Sequence, residues 1–543
     1  MWLIGKKPDK ITMLRIFKSA IVGLAIITVV SCAKRGSITG GTKDTLAPVL
    51  KMSFPKNYTT GFTGNEIKLV FDEYVKLKDV KKQLIVSPPM KNAPDILPPT
   101  ASKTLTIKIN DTLLPNTTYS FNFGQSIEDN NEGNPYRQFK YVFSTGTYID
   151  SLRLRGVIKD AFEKTPDKYV SVMLYEAKDG FNDSIVYKEN PRYITNTLDS
   201  VPTFTLENLK AGRYKLTALK DMNSNNKFDP KTDKIAFHKE FVTIPNDTLY
   251  EMELFQETAP FKAIKPTLAS GNRFYMGYSG QPKGVKATLK NGADIIETII
   301  TKVAEKDSIN IWYKPVKADS LHLTVTKNDY NEDFTLKFKP AKVDSLSFSP
   351  KQNGTLPLRD EFVITASRPL VKINDTLISV TKKDSSSVAF TTAYDEFLQQ
   401  LKIAFQKEPL EKYKIVALPG AVVDFYDKPN DTLKYELATK NISDYGNLRL
   451  GLKNVRKFPI IIELTDAKGK IVATQYSEGS TSIQFDALEP QRYTLRVIYD
   501  ENGNREWDTG NYLQNRQSEE VIYFPGEIDV RANWDGDQTF TLP

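Results

Sequence analysis

The chain has 543 residues, enough for several domains that each bury a core of their own. Its 74 basic and 66 acidic residues leave a net charge of +8 spread without basic blocks, which removes any electrostatic case for nucleic acid as a partner. With 26 Tyr, 29 Phe, 30 Pro, 28 Gly and a single Cys, it reads as short strands broken by turns, an all-β protein with no disulfide inside the chain.

Residues 1–31 read as a targeting signal. Basic residues up to Lys18 precede the apolar run AIVGLAIITVV, which is too short to span a bilayer as a stable helix. The run ends in Val29-Val30-Ser31-Cys32, which resembles a bacterial lipobox. That resemblance implies cleavage before Cys32, acylation of its thiol and amine, and anchoring by several acyl chains where one would be marginal. Losing five basic residues (Lys6, Lys7, Lys10, Arg15, Lys18) and one acid (Asp9) lowers the net charge from +8 to +4. Residues 32–46 form a polar, Gly-rich tether. Ala33 stands where many inner-membrane lipoproteins carry Asp, so the outer membrane is expected. Lys34 and Arg35 depart from the acidic start usual in surface-exposed lipoproteins of the Bacteroidota, so the periplasmic and surface faces both stay open.

Over 47–147 the stretches SFPKN, IKLVFDEYV, LTIKI, LLPNTTYSFNF, SIEDNNEGNP and YVFSTG follow one another. They resemble a bacterial Ig-like domain of the S-layer (SbsA) type, which implies a β-sandwich and says little about a ligand. A degenerate copy is expected over 346–441, where FVITASRPL, LKIAF and PLEKYKIVAL match in order, and Asp424 and Asn430 fall near Asp129 and Asn134. The segments 150–256 and 445–543 repeat more sharply. LKAGRYKLTALKDMNSNNKFD and LEPQRYTLRVIYDENGNREWD align without a gap, with Leu209, Tyr214 and Leu216 becoming Leu488, Tyr493 and Leu495. The spacing from Phe204 to Leu216 resembles carboxypeptidase-regulatory-like or transthyretin-like small sandwiches. Residues 258–345 are β-rich without an assignable motif. The expected architecture is tandem Ig-like and transthyretin-like β-sandwiches in an elongated multi-domain chain.

The aligned repeats end in matching loops, Asp221, Asn223, Asn225, Asp229 and Asp500, Asn502, Asn504, Asp508. Alternate oxygen side chains converge as a calcium site requires, with Asp233 and Asn511 available to complete the shells. Both loops lack the Gly at position six and a bidentate Glu. The same residues also build a tight turn by accepting backbone N–H groups. Calcium, if bound, is weak and structural, and no cofactor is required. Asp508-Thr509-Gly510 matches half of an aspartic-protease pair, but no second copy exists to share the proton. His238 and His322 stand apart, and no Gly-x-Ser-x-Gly elbow or phosphate loop is present, so no catalytic residue is assigned.

Asp followed by Ser or Thr recurs with Thr45, Thr112, Ser151, Ser184, Ser200, Thr248, Ser308, Ser320, Ser345, Thr376 and Thr432. Average residue usage predicts roughly two or three such triplets. The pattern resembles the general O-glycosylation sequon of Bacteroidota, and it equally describes a turn feeding a strand. The leading functional expectation is a non-enzymatic outer-membrane lipoprotein, a binding or scaffold subunit docking on a β-barrel complex in assembly, export or uptake. The alternatives are a carbohydrate-binding lipoprotein using Tyr275, Tyr278 and Trp312, and more remotely a hydrolase.

Overall fold

The computed structural model describes residues 44–197, 201–269, 272–337 and 345–543. The protein is all-β, a multi-domain string of β-sandwiches. We call its five successive sandwiches modules 1 to 5.

In module 1 the strand Glu66–Leu77 alternates as its sequence does, burying Ile67, Leu69, Phe71 and Val75 on one face. It lies between Leu50–Phe54 and Ser102–Lys108, with Asp95–Leu97 at the far edge. A second sheet runs Ile85–Ser87, Thr118–Asn122, Lys140–Ser144, and Phe71, Leu105, Phe121 and Phe143 fill the space between the two. Module 4 repeats this plan. Phe362–Ala366 lies between Phe348–Pro350 and Gln400–Phe405, and Lys412–Ala417 lies between Ile378–Lys382 and Leu433–Ala438. The copies agree down to single atoms. The Tyr119 hydroxyl accepts the Leu114 N–H at 2.9 Å, and the Tyr413 hydroxyl accepts the Glu408 N–H at 2.6 Å. The Thr145 and Thr439 hydroxyls donate to the same two carbonyls. One correspondence shifts: the Asp129 N–H bonds Asn134 O, and the Asp424 N–H bonds Lys428 O. Lys428 therefore takes the place of Asn134, and Asn430, whose N–H bonds Val422 O as that of Tyr136 bonds Ile127 O, takes the place of Tyr136.

Modules 2 and 5 share a different plan. Gly212–Lys220 and Gln491–Tyr499 are the central strands, paired with Ser171–Glu176 and Ile460–Thr465. In each, the last strand, Leu249–Leu254 or Trp534–Thr541, pairs in parallel with the first, Leu152–Asp160 or Gly446–Lys453. Tyr214 donates to Lys210 O, and Tyr493 donates to Glu489 O. Module 3, which carried no motif, is also a sandwich. Arg273–Ser279, Ser308–Tyr313 and Thr298–Lys302 face Lys286–Asn291, Ser320–Lys327 and Tyr330–Lys337 across Phe274, Ile311, Leu323 and Val325. Tyr278 and Trp312 are buried here. The Trp312 indole donates to the Thr301 hydroxyl and packs with Ile299 and Phe425 at the joint with module 4. Tyr275 is half-buried, and with Tyr278 and Trp312 interior the three do not form an exposed row for a sugar.

The string folds back on itself where module 5 docks on module 2, with the exposed Lys283–Glu506 pair at 2.9 Å also tying module 5 to module 3. The Tyr512 ring is buried against Phe237 at 5.2 Å, and Trp507 packs on Phe162 at 4.6 Å. The Tyr523 hydroxyl donates to Phe162 O at 2.6 Å, the Gln517 amide donates to Phe237 O at 2.8 Å, and Arg496 lies 4.1 Å from the centre of the Phe162 ring. Buried aromatic side chains cost about 3–5 kcal/mol when truncated to Ala. Tyr512→Ala is therefore expected to open this joint, raising the radius of gyration in small-angle scattering and splitting off an earlier unfolding transition. A variant that melts and scatters like the parent would refute the closure.

Candidate functional site

The two Asp/Asn loops are built as turns. In module 2, Asp221 accepts the N–H of Asn223 and Asn226, and Asn225 accepts that of Lys227. Asp229 accepts the N–H of Lys231. In module 5, Asp500 accepts from Gly503, Asn504 and Arg505 at 2.8, 3.2 and 2.9 Å. Asn502 and Asn504 accept the N–H groups of Asn504 and Glu506 and turn their amides onto Asp508. A cation at either loop would have to share these oxygens with the N–H donors already on them. Among the described residues no group of three or more His, Cys, Asp or Glu is placed to hold a metal.

Asp233 does join its loop, accepting the N–H of Met222 and Asp229. Its counterpart in module 5 is Glu519, which accepts from Glu501 and Asp508. Asn511 instead caps its own turn by accepting the Gln514 N–H. The sequence signal for Glu519 is an insertion: Asp229 to Asp233 spans four positions and Asp508 to Glu519 spans eleven. That insertion carries Tyr512 into module 2, so the turn loop and the docking joint are one structure. Thr509 donates to Gln256 O at 2.7 Å, and the Tyr512 N–H bonds Glu257. Gly510 is required there, because a Cβ on it would stand 2.5 Å from the Phe255 ring. The Asp-Thr-Gly triplet is a piece of this joint.

Burial dominates the electrostatics. It pushes Glu253 up, aided by Glu251 and Glu520 and opposed by Lys159. It pushes Glu257 up against the Tyr512 N–H and Arg516. It pushes Glu519 up against two N–H bonds, with Asp508 and Asp500 adding to the shift. The Tyr512 phenol is raised by burial and then by Asp183, to which it donates at 3.2 Å.

Cys32 and Ser200 lie outside the described residues. Of the other Ser/Thr candidates, Thr45, Thr112, Ser151, Thr248, Ser320, Ser345, Thr376 and Thr432 are exposed, Ser184 is half-buried and Ser308 is buried. In three of the Asn-Asp-Ser/Thr stretches the Asn side chain accepts the N–H two residues on, from Ser184, Thr248 and Thr376. These triplets are Asx turns.

Residues 44–145 match the family model of a bacterial Ig-like domain, Big_5. No curated protein matches the chain. Among solved structures it is similar to domains 1–6 of the surface layer protein SbsC, with 10% identity, 96% of this chain and 71% of that one covered and a TM-score of 0.16. A second SbsC structure gives 12% identity, 89% and 67% coverage and a TM-score of 0.16. The major pilin subunit of Bacillus cereus gives 12%, 72%, 99% and 0.14. Such TM-scores are too low to indicate a shared arrangement of modules. The family that matches is a structural module, no catalytic family is indicated, and an Ig-like domain suits a binding or scaffold role.

Removing an acceptor from buried N–H groups costs about 1–3 kcal/mol each. Asp500 is itself buried and holds three N–H donors, so Asp500→Ala is expected to lower the melting temperature measurably more than Asp535→Ala at an exposed position, checked by calorimetry. Glu253, Glu257 and Glu519 have folded-state values raised above the ordinary 4.5. The stability they allow is fully present below 4.5 and falls as pH rises through the raised values. Against this background, Glu253→Gln should flatten the decline in melting temperature from mildly acid to neutral pH, and an unchanged slope would remove Glu253 from that account.

Proposed function

We propose that the chain is a non-enzymatic outer-membrane lipoprotein, anchored through acylated Cys32, whose sandwiches act as a binding and scaffold unit for an outer-membrane β-barrel complex. The observation that carries this reading is the joint of modules 2 and 5. An insertion at the end of a repeat, with a glycine whose Cβ would collide with the Phe255 ring, serves to fix one sandwich on another. Its work is positional: a body held in one shape presents the same surface each time. Neither loop needs a cofactor in this reading, and calcium at either one would be a staple. The exposed Ser/Thr of the Asp-Ser/Thr triplets are the proposed glycan acceptors, with buried Ser308 left out. Either face of the outer membrane accommodates this role.

The test is purification of a C-terminally tagged chain from detergent-solubilised outer membranes, beside a Cys32→Ala control. A β-barrel protein is expected in stoichiometric amount with the parent and not with the control. Peptide mapping of the same sample should find glycans on exposed sites such as Thr376 and Thr432 and none on Ser308. Recovery of the tagged chain alone would sink the scaffold reading.

A further inference from the structure

Large apolar side chains are exposed in an uneven way. Among the described residues, Leu46, Val49, Met52, Phe54 and Tyr58 are 73%, 50%, 50%, 58% and 59% exposed, five within thirteen residues, whereas module 5 has only Ile471 and Leu513 in its whole length. Met52 and Phe54 flank buried Ser53 on the strand Leu50–Phe54, so both point away from the core. Pairing places a further exposed apolar residue on the same outer face, beyond a Lys and a Thr. Phe54 lies opposite Lys68, Lys68 opposite Thr106, and Thr106 opposite Leu97, which is also exposed. Half-buried Val70 lies opposite Met52 in the neighbouring row. None of the joints between modules uses this face.

Two occupants compete for it. A second protein strand would add along the open edge of Leu50–Phe54, taking its free N–H and C=O groups. That edge carries the devices that prevent such pairing: a register shift between Leu50 and Met52, the charge of Lys51, and Pro55 at its end. A lipid surface asks for none of those hydrogen bonds and takes up apolar side chains of any arrangement. Position points the same way. Asp44 stands twelve residues after Cys32, and twelve residues reach at most about 40 Å. Acids accompany the lysines of the face: Lys51 pairs with Asp72 at 3.9 Å, Lys68 with Glu66 at 3.2 Å, and Lys108 stands opposite Glu66 and Asp95 in the sheet, so a net positive charge is not the attraction.

We infer that the outer face of the first sheet of module 1, through Met52 and Phe54 with Leu46, Val49 and Leu97 around them, lies on the lipid bilayer. The inference rests on the lipid-anchor reading for where the module sits, and not for the contact itself. Residues 32–543 with Cys32→Ala, which hold every described residue and carry no acyl chain, are mixed with phosphatidylethanolamine–phosphatidylglycerol vesicles and floated on a density gradient. The protein is expected to rise with the vesicles, equally at low and high salt. Met52→Asp with Phe54→Asp should weaken partitioning at least tenfold at an unchanged melting temperature, and Ile471→Asp should leave it intact. Absence of flotation, equal flotation by the double variant, or a dimer in sedimentation that the same two changes dissociate would each overturn it. Acyl labelling of Cys32 in cells is read separately: flotation without labelling removes the anchor and keeps the face, and labelling without flotation does the reverse.

Discussion

The burial of the Tyr512 ring against Phe237, with its hydroxyl on Asp183, joins two modules whose contacting residues stand more than two hundred positions apart. A buried aromatic ring removes roughly 150–250 Å² from water, and at about 25 cal/mol per Å² a Tyr and a Trp together make a strong joint. Modules 3 and 4 hold the two partners near one another, so the docking is intramolecular and loses little freedom. The aromatic packing of Trp312, Ile299 and Phe425 between modules 3 and 4 works in the same direction. From module 2 onward the sandwiches therefore brace one another.

One device recurs in all four repeated modules: a single carboxylate that gathers backbone N–H groups at the turn after a strand. Asp129 gathers those of Glu132, Gly133 and Asn134, and Asp424 those of Tyr426 and Lys428. Asp221 and Asp500 do the same in the other pair. Burial pushes Asp129 up, yet its N–H donors outweigh that and hold it below the ordinary value. A carboxylate held ionised by three amide dipoles is a fold element in its own right. The resemblance of two of these turns to a calcium loop follows from the shared need to bring oxygens to one point.

Strands and repeats were legible because both are local. The alternation around Phe71 predicts a half-buried strand, and the gapless match of Tyr214 with Tyr493 reappears as two hydroxyls donating four residues back. The docking joint was not legible. Tyr512 and Leu513 sit in an otherwise polar loop, and nothing near them indicates that one is buried and the other exposed. Their difference depends on Phe237 and Asp183, which no periodicity links to residue 512. Glu519 was hidden for a related reason: its role is set by geometry after an insertion, and spacing pointed to Asn511 instead. In module 3 alternation showed strands and favoured an inward direction for the aromatics, as Tyr278 and Trp312 bear out.

The joint between modules 1 and 2 is chemically unlike the closing joint. It includes the Lys140–Glu207 pair at 2.5 Å, the Arg192 guanidinium on the Thr117 hydroxyl, the buried Thr118 hydroxyl on Asp150, and half-buried Ile85 packed against the cluster around Ile194. Of these only the half-exposed Lys140–Glu207 pair is an ion pair, worth about 0–1 kcal/mol and weakened by salt. Polar joints within a chain behave like transient interfaces, and relative motion is expected across them. Among the described residues no pair of aromatic rings spans this joint, so it carries less aromatic burial than the joint of modules 2 and 5. If module 1 rests on the bilayer, the angle at this hinge sets how far modules 2 to 5 stand from the membrane.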